Sequence, residues 1–266
     1  MTTISDAPAT GTVRLRIDEH VATLTLDRAA KRTALTPEML RELDGHLIAL
    51  GADRSVRVVT VRGAGDRAFC AGADIDRFAA LSPVDMWRSW TALGLAVFDR
   101  LAALPQPVIA VVHGNAFGGG LELALAADFR LLAESAQVGL PEAGLGTVPG
   151  WGGTERLVEL VGRTRAKDMI LARTIVDGPT ALEWGLASRV APATALDAAV
   201  DDLATTLSAG APVAVQVAKQ LIDAAADGAP SRVLEPLAGA LTATTTDLAE
   251  GVAAFRARRP AAFQGH

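Results

Sequence analysis

The stretch PVIAVVHGNAFGGGLELALAADFRL, Pro107 to Leu131, decides the fold class. Val108 to Val112 form a continuous apolar run, the pattern of a strand buried on both faces of a sheet. His113 and Gly114 close that run with a turn. Three successive glycines follow, Gly118 to Gly120, and then an apolar segment with one carboxylate, Glu122, near its start. Strand, glycine cluster and helix start together present backbone N–H groups to a negative charge. The first turn of a helix leaves its N–H groups unpaired and carries positive partial charge. Glycine lets a ligand atom reach that backbone with no Cβ in the way. Glu122 stands three residues after Gly119, which on a helix puts its carboxylate over the same face as the Gly119 N–H.

The same alternation extends outward in both directions. VATLTL (Val21 to Leu26) alternates apolar and polar side chains and predicts a strand. Met39, Leu40, Leu43, Leu47 and Leu50 have helical spacing, with Thr36 as the cap and Pro37 in the first turn. VRVVTVRG (Val56 to Gly63) predicts a second strand, and FRLLAES and ASRVAP predict further short ones. From about Asp197 the strand signals stop, and APVAVQVAKQLIDAAADG and DLAEGVAAFRARRPAAF predict helices. The fold class is therefore α/β with a C-terminal helical region. We expect a flexible tail over residues 1–12, an α/β core over 13–196 and a helical part over 197–266.

Composition sets limits on function. The chain has 266 residues, is 50% hydrophobic and 21% charged, and carries a formal net charge of −5. It can bury a substantial core, and its charge disfavours general binding to nucleic acid or anionic membrane. A single cysteine, Cys70, excludes an internal disulfide and suits a reducing, cytoplasmic setting; it reads as a small core residue. The four histidines are scattered without metal-ligand spacing, so no metal site is expected. No apolar run reaches the length of a membrane span. GAGDRA (Gly63 to Ala68) imitates a dinucleotide fingerprint, but Gly72 falls where the helix of that motif should form.

Two further segments complete a chemical set. AFCAGADI, Ala68 to Ile75, is a second glycine-containing turn after a strand and offers the Ala73 N–H as a donor. Donors from two separate turns can pinch one oxygen, which makes an oxyanion hole. LPEAGLGTVPGWGGTERL, Leu140 to Leu157, supplies a second lone acid, Glu142, between apolar neighbours. Those neighbours favour its neutral form, while the helix start should make Glu122 easier to ionise. Two carboxylates with different surroundings suggest a division between acid and base.

These three segments, in this order, resemble the enoyl-CoA hydratase/isomerase superfamily, the crotonases, over nearly the whole chain from about Val13. The resemblance implies a crotonase-type spiral of ββα units. It implies that the N–H groups of Ala73 and Gly119 hold the thioester oxygen of an acyl-CoA, and that Glu122 and Glu142 hold water and relay protons. Gly150 matches a glycine whose N–H helps to place that water. Ala71, Asp74 and Ile75 fall in the substrate-binding segment. Trp87 and Trp90 lie in a segment that lines the acyl pocket, and Trp151 stands where relatives often carry a small residue. Lys31, Arg32, Arg259 and Phe263 match regions that contact CoA. The family assembles as trimers or pairs of trimers. CoA arrives as part of the substrate, and no cofactor is implied. Isomerases of the family often keep only the acid matching Glu142, so hydration of a trans-2-enoyl-CoA leads here. Double-bond isomerisation, another crotonase reaction, or a non-catalytic acyl-CoA- or RNA-binding relative are the alternatives.

Overall fold

The computed structural model describes residues 10–266; residues 1–9 of the expected tail lie outside the described part. Among the described residues, ten strands form two sheets. Six of them lie in the order β1 (Thr12–Asp18), β2 (Val21–Asp27), β3 (Val58–Gly63), β5 (Val108–Val112), β7 (Phe129–Ala133) and β10 (Arg189–Ala191). The second sheet is β4 (Ala68–Cys70), β6 (Asn115–Phe117), β8 (Gln137–Gly139) and β9 (Val176–Asp177). Successive strand pairs β3–β4, β5–β6 and β7–β8 send one strand to each sheet, and a helix follows each pair. Within each sheet these strands pair in parallel. That arrangement is a spiral of ββα units, and it brings the turns after β4, β6 and β8 to one end.

The expected strands occur at β2, β3, β5, β7 and β10. Thr12 belongs to β1, and the Thr10 carbonyl accepts from the Thr36 hydroxyl at 2.9 Å, so residues 10–12 are part of the fold rather than of a tail. Strand β5 is buried at every position, with β4 of the second sheet packed against it. Helix α1 (Pro37–Ala52) packs on β1 and β2, with Met39, Leu40, Leu43, Leu47 and Leu50 all buried. Thr36 caps it, accepting from the Met39 N–H at 3.2 Å.

Short helices α2 (Ile75–Ala79) and α3 (Pro83–Asp85) lead through a π-helical stretch, Met86–Thr91, into α4 (Ala92–Ala102), which packs on α1. Helix α5 (Gly119–Leu125) follows β6; α6 (Gly153–Leu171) and α7 (Gly178–Glu183) come next. Helix α8 (Leu196–Ser208) lies against β7 and buries Leu196, Val200, Leu203 and Ala204. The helical region expected from residue 197 thus divides into this sheet-packed helix and an appendage that follows it.

The appendage comprises α9 (Pro212–Ala226), α10 (Ser231–Ala243) and α11 (Thr246–Ala257). Buried Lys219 ties α9 to the core, pairing with Asp128 at 2.8 Å and donating to the Gln106 carbonyl at 3.2 Å. The last residues fold back on the chain. Asp247 accepts from the Gln264 and Gly265 N–H groups, and Arg57 donates to the Phe263 carbonyl at 2.8 Å.

Candidate active site

The two predicted turns meet. A Cβ added to Gly72 would stand 3.3 Å from the Gly119 nitrogen and 2.7 Å from the Phe117 carbonyl oxygen. Only glycine, here with φ of +100°, permits that approach. The Leu35–Ala73 bridge uses the Leu35 N–H to the Gly72 carbonyl and the Asp74 N–H to the Leu35 carbonyl. In a parallel bridge of this kind the Ala73 N–H points away from Leu35. Gly119 is the first residue of α5, so its N–H has no intrahelical acceptor.

A cavity of about 130 Å³ opens at this junction. Ala71, Ala73 and Ile75 line it from the first turn, Gly119 and Glu122 from the second, and Glu142, Gly150 and Trp151 from the third; Trp90 closes a side. Nine of the residues singled out in the sequence therefore share one cavity. Phe78, Met86 and Val148 also line it. Their own sequence carried no signal beyond proximity to the motifs.

Glu122 is 2% exposed. Its Oε1 accepts from the Trp151 N–H at 2.7 Å and the Gly153 N–H at 3.0 Å. Burial nevertheless raises its pKa, against the lowering effect of the N–H groups of Trp151, Gly153 and Gly150. Loss of water outweighs these backbone donors. The Gly150 N–H thus bears on Glu122 itself.

Glu142 begins a 3-10 turn, Glu142–Leu145. Burial pushes its carboxyl up to about 7, and the neighbouring Glu122 adds to the effect. Its Oε2 is buried without a hydrogen-bond partner among the described residues. Gly118, at φ +53°, gives it room, since a Cβ there would stand 3.1 Å from Glu142 Oε1. One acid is therefore fixed by backbone donors, and the other has a free oxygen and is near half-protonated at neutral pH.

Six of the predicted residues do not line the cavity. Asp74 is buried, pairs with Arg28 and caps α2 through the Arg77 N–H at 3.2 Å. Its charge is consumed in holding the turn, so it acts on the fold rather than on a substrate. Trp87 is 66% exposed and lies under the Arg88 guanidinium. The Lys31 side chain reaches Asp76 at 3.8 Å. Arg32 serves through its backbone, its carbonyl accepting from the Ala71 N–H at 3.0 Å. Arg259 is held by both oxygens of Glu250, at 2.6 and 2.8 Å, and the Phe263 ring lies against Gly251. Within one chain, these contacts keep both away from the cavity. Cys70 is buried, with its thiol pushed up to about 12, as suits a core residue.

Comparison with known proteins identifies the frame. The family model described as enoyl-CoA hydratase/isomerase matches residues 16–266. The chain belongs to the enoyl-CoA hydratase/isomerase family. A putative enoyl-CoA hydratase/isomerase, YngF, of Bacillus subtilis is 40% identical over 93% of this chain and 96% of its own. A crotonyl-CoA hydratase of Syntrophomonas wolfei is 36% identical over 94% and 96%. The crystal structure of an enoyl-CoA hydratase from Bacillus anthracis superposes with a TM-score of 0.91 at 34% identity, covering 96% of this chain and 99% of that one. The fold is thus the crotonase fold of this hydratase/isomerase family, and its reaction type is a crotonase reaction on an acyl-CoA. Among the described residues, no helix is long and apolar enough to cross a membrane, and no three His, Cys, Asp or Glu side chains cluster as a metal site.

Proposed function

We propose that the protein catalyses the reversible syn addition of water to a trans-2-enoyl-CoA, giving a 3-hydroxyacyl-CoA. The thioester oxygen accepts hydrogen bonds from the Ala73 and Gly119 N–H groups. Glu122, as the carboxylate, takes a proton from water as its oxygen adds to C3. Electron density moves through the double bond onto the thioester oxygen, forming an enolate. Glu142, as the neutral acid, protonates the α-carbon and the carbonyl reforms. One proton is gained by Glu122 and one is lost by Glu142, so proton exchange between them, or with solvent, resets the site. Loss of one oxyanion donor costs about 10²–10³ in rate in enzymes of this design, which makes the hole the largest single contribution.

One observation carries this reading: two carboxylates face one cavity with unequal hydrogen bonding. An isomerase needs one proton-shuttling acid, whereas hydration must both activate water and protonate carbon. The scheme requires no cofactor, only the CoA of the substrate. We place it in the cytoplasm, where a lone reduced cysteine is stable. We assign it to a homotrimer or a pair of trimers, supported by Val233, Leu237, Leu241, Leu248, Val252 and Phe255, apolar yet exposed on the appendage.

The test is loss of the conjugated thioester absorbance of crotonyl-CoA. The parent should turn over, and Glu122→Gln and Glu142→Gln should each lose about 10²–10⁴ in kcat. Full turnover by Glu142→Gln would refute the assignment. Faster conversion of a 3-enoyl than of a 2-enoyl thioester would favour isomerisation.

A further inference from the structure

We propose that the Trp151 side chain is the end wall of the acyl cavity and restricts the enzyme to short enoyl groups; the inference rests on the thioester reading above. The indole occupies space that ordinary side chains would fill. A Cβ on Gly94 would stand 2.2 Å from Trp151 Nε1, and a Cβ on Gly119 would stand 2.3 Å from Trp151 Cζ3. The ring is therefore wedged between α4 and the start of α5, next to the Gly119 N–H assigned to the thioester oxygen.

The wall is firmly backed. Trp90 and Phe98 each place a ring centroid 5.3 Å from that of Trp151, tilted at 52° and edge-on at 80°. Trp151 is 3% exposed, and Phe98 is fully buried. Protein interiors packed this closely do not yield to an extra methylene without strain. The cavity left over, about 130 Å³, is well below the roughly 300 Å³ at which pockets for drug-sized ligands begin. A thioester held beside Gly119 thus meets the indole soon after the reacting double bond. The Trp151 N–H belongs to the backbone and holds Glu122, so a shorter side chain enlarges the cavity without deleting that donor.

The experiment measures kcat/KM for crotonyl-, trans-2-hexenoyl- and trans-2-octenoyl-CoA with the parent, Trp151→Phe and Trp151→Leu. One methylene in an apolar pocket is worth roughly tenfold or more in specificity. The parent should favour crotonyl- over octenoyl-CoA by at least tenfold. Trp151→Leu should raise the octenoyl-to-crotonyl ratio by at least tenfold, and Trp151→Phe, which keeps an aromatic ring in the cluster and guards against misfolding, should raise it by less. A parent that uses both thioesters equally, or a ratio unmoved in the folded variants, overturns the proposal and leaves the hydratase reading intact. A parent that turns over none of the three overturns both.

Discussion

At the residue scale, the two acids differ in what surrounds them. Glu142 ionises near pH 7 because its carboxyl is buried beside Glu122. As the proton donor it must be neutral, so the hydration rate should fall as pH rises through about 7. The same shift acts on stability. A carboxyl whose folded pKa is raised contributes fully below its unfolded value, near 4.5, and loses that contribution as pH rises through the folded value. Glu142→Gln, always neutral, should therefore melt above the parent at pH 8, and the difference should vanish below about pH 4.5. Equal melting temperatures at pH 8 would show that Glu142 is well solvated. Both acids were legible in the sequence, because each stands alone between apolar neighbours. The donors to Glu122 were not, since Trp151 and Gly153 lie 29 and 31 residues away. The partner of Asp74 was not legible either, since Arg28 stands 46 residues away.

At the element scale, periodicity and capping specify α1. Every apolar position with helical spacing is buried, and Thr36 does cap. Leu43→Ala should lower unfolding free energy by about 2–5 kcal/mol and Thr36→Ala by about 1 kcal/mol, measured by urea denaturation; losses of equal size would contradict this division of packing and capping. The π-helical stretch Met86–Thr91 was not legible. The resemblance placed Trp87 and Trp90 together in one pocket-lining segment, and in an α-helix residues three apart would share a face. The wider π turn separates them, sending Trp90 into the core and Trp87 to the surface. The short strands β4, β6, β8 and β9, at two or three residues each, are too brief for a period to register.

At the scale of the whole molecule, the alternation of strands and glycine turns revealed the α/β class, and the spiral was legible only through the resemblance to the crotonases. The C-terminal segment gave no such signal. The resemblance gave Arg259 and Phe263 ligand contacts, and within the chain Asp247, Glu250 and Arg57 fold the segment back as a clasp. Asp247→Ala removes two acceptors from that clasp. Limited trypsin digestion after Arg256 and Arg258 should then run several-fold faster than in the parent; an unchanged rate would mean that the clasp does not hold the tail.

The central claim is that two main-chain amides from separate turns grip one thioester oxygen with both acids facing the reacting carbons. A crystal structure with a bound 3-hydroxyacyl-CoA tests it most directly. The account predicts the thioester oxygen 2.7–3.1 Å from both the Ala73 and Gly119 nitrogens, with the 3-hydroxyl between Glu122 and Glu142. An oxygen held by neither amide, or a hydroxyl out of reach of both acids, would contradict it.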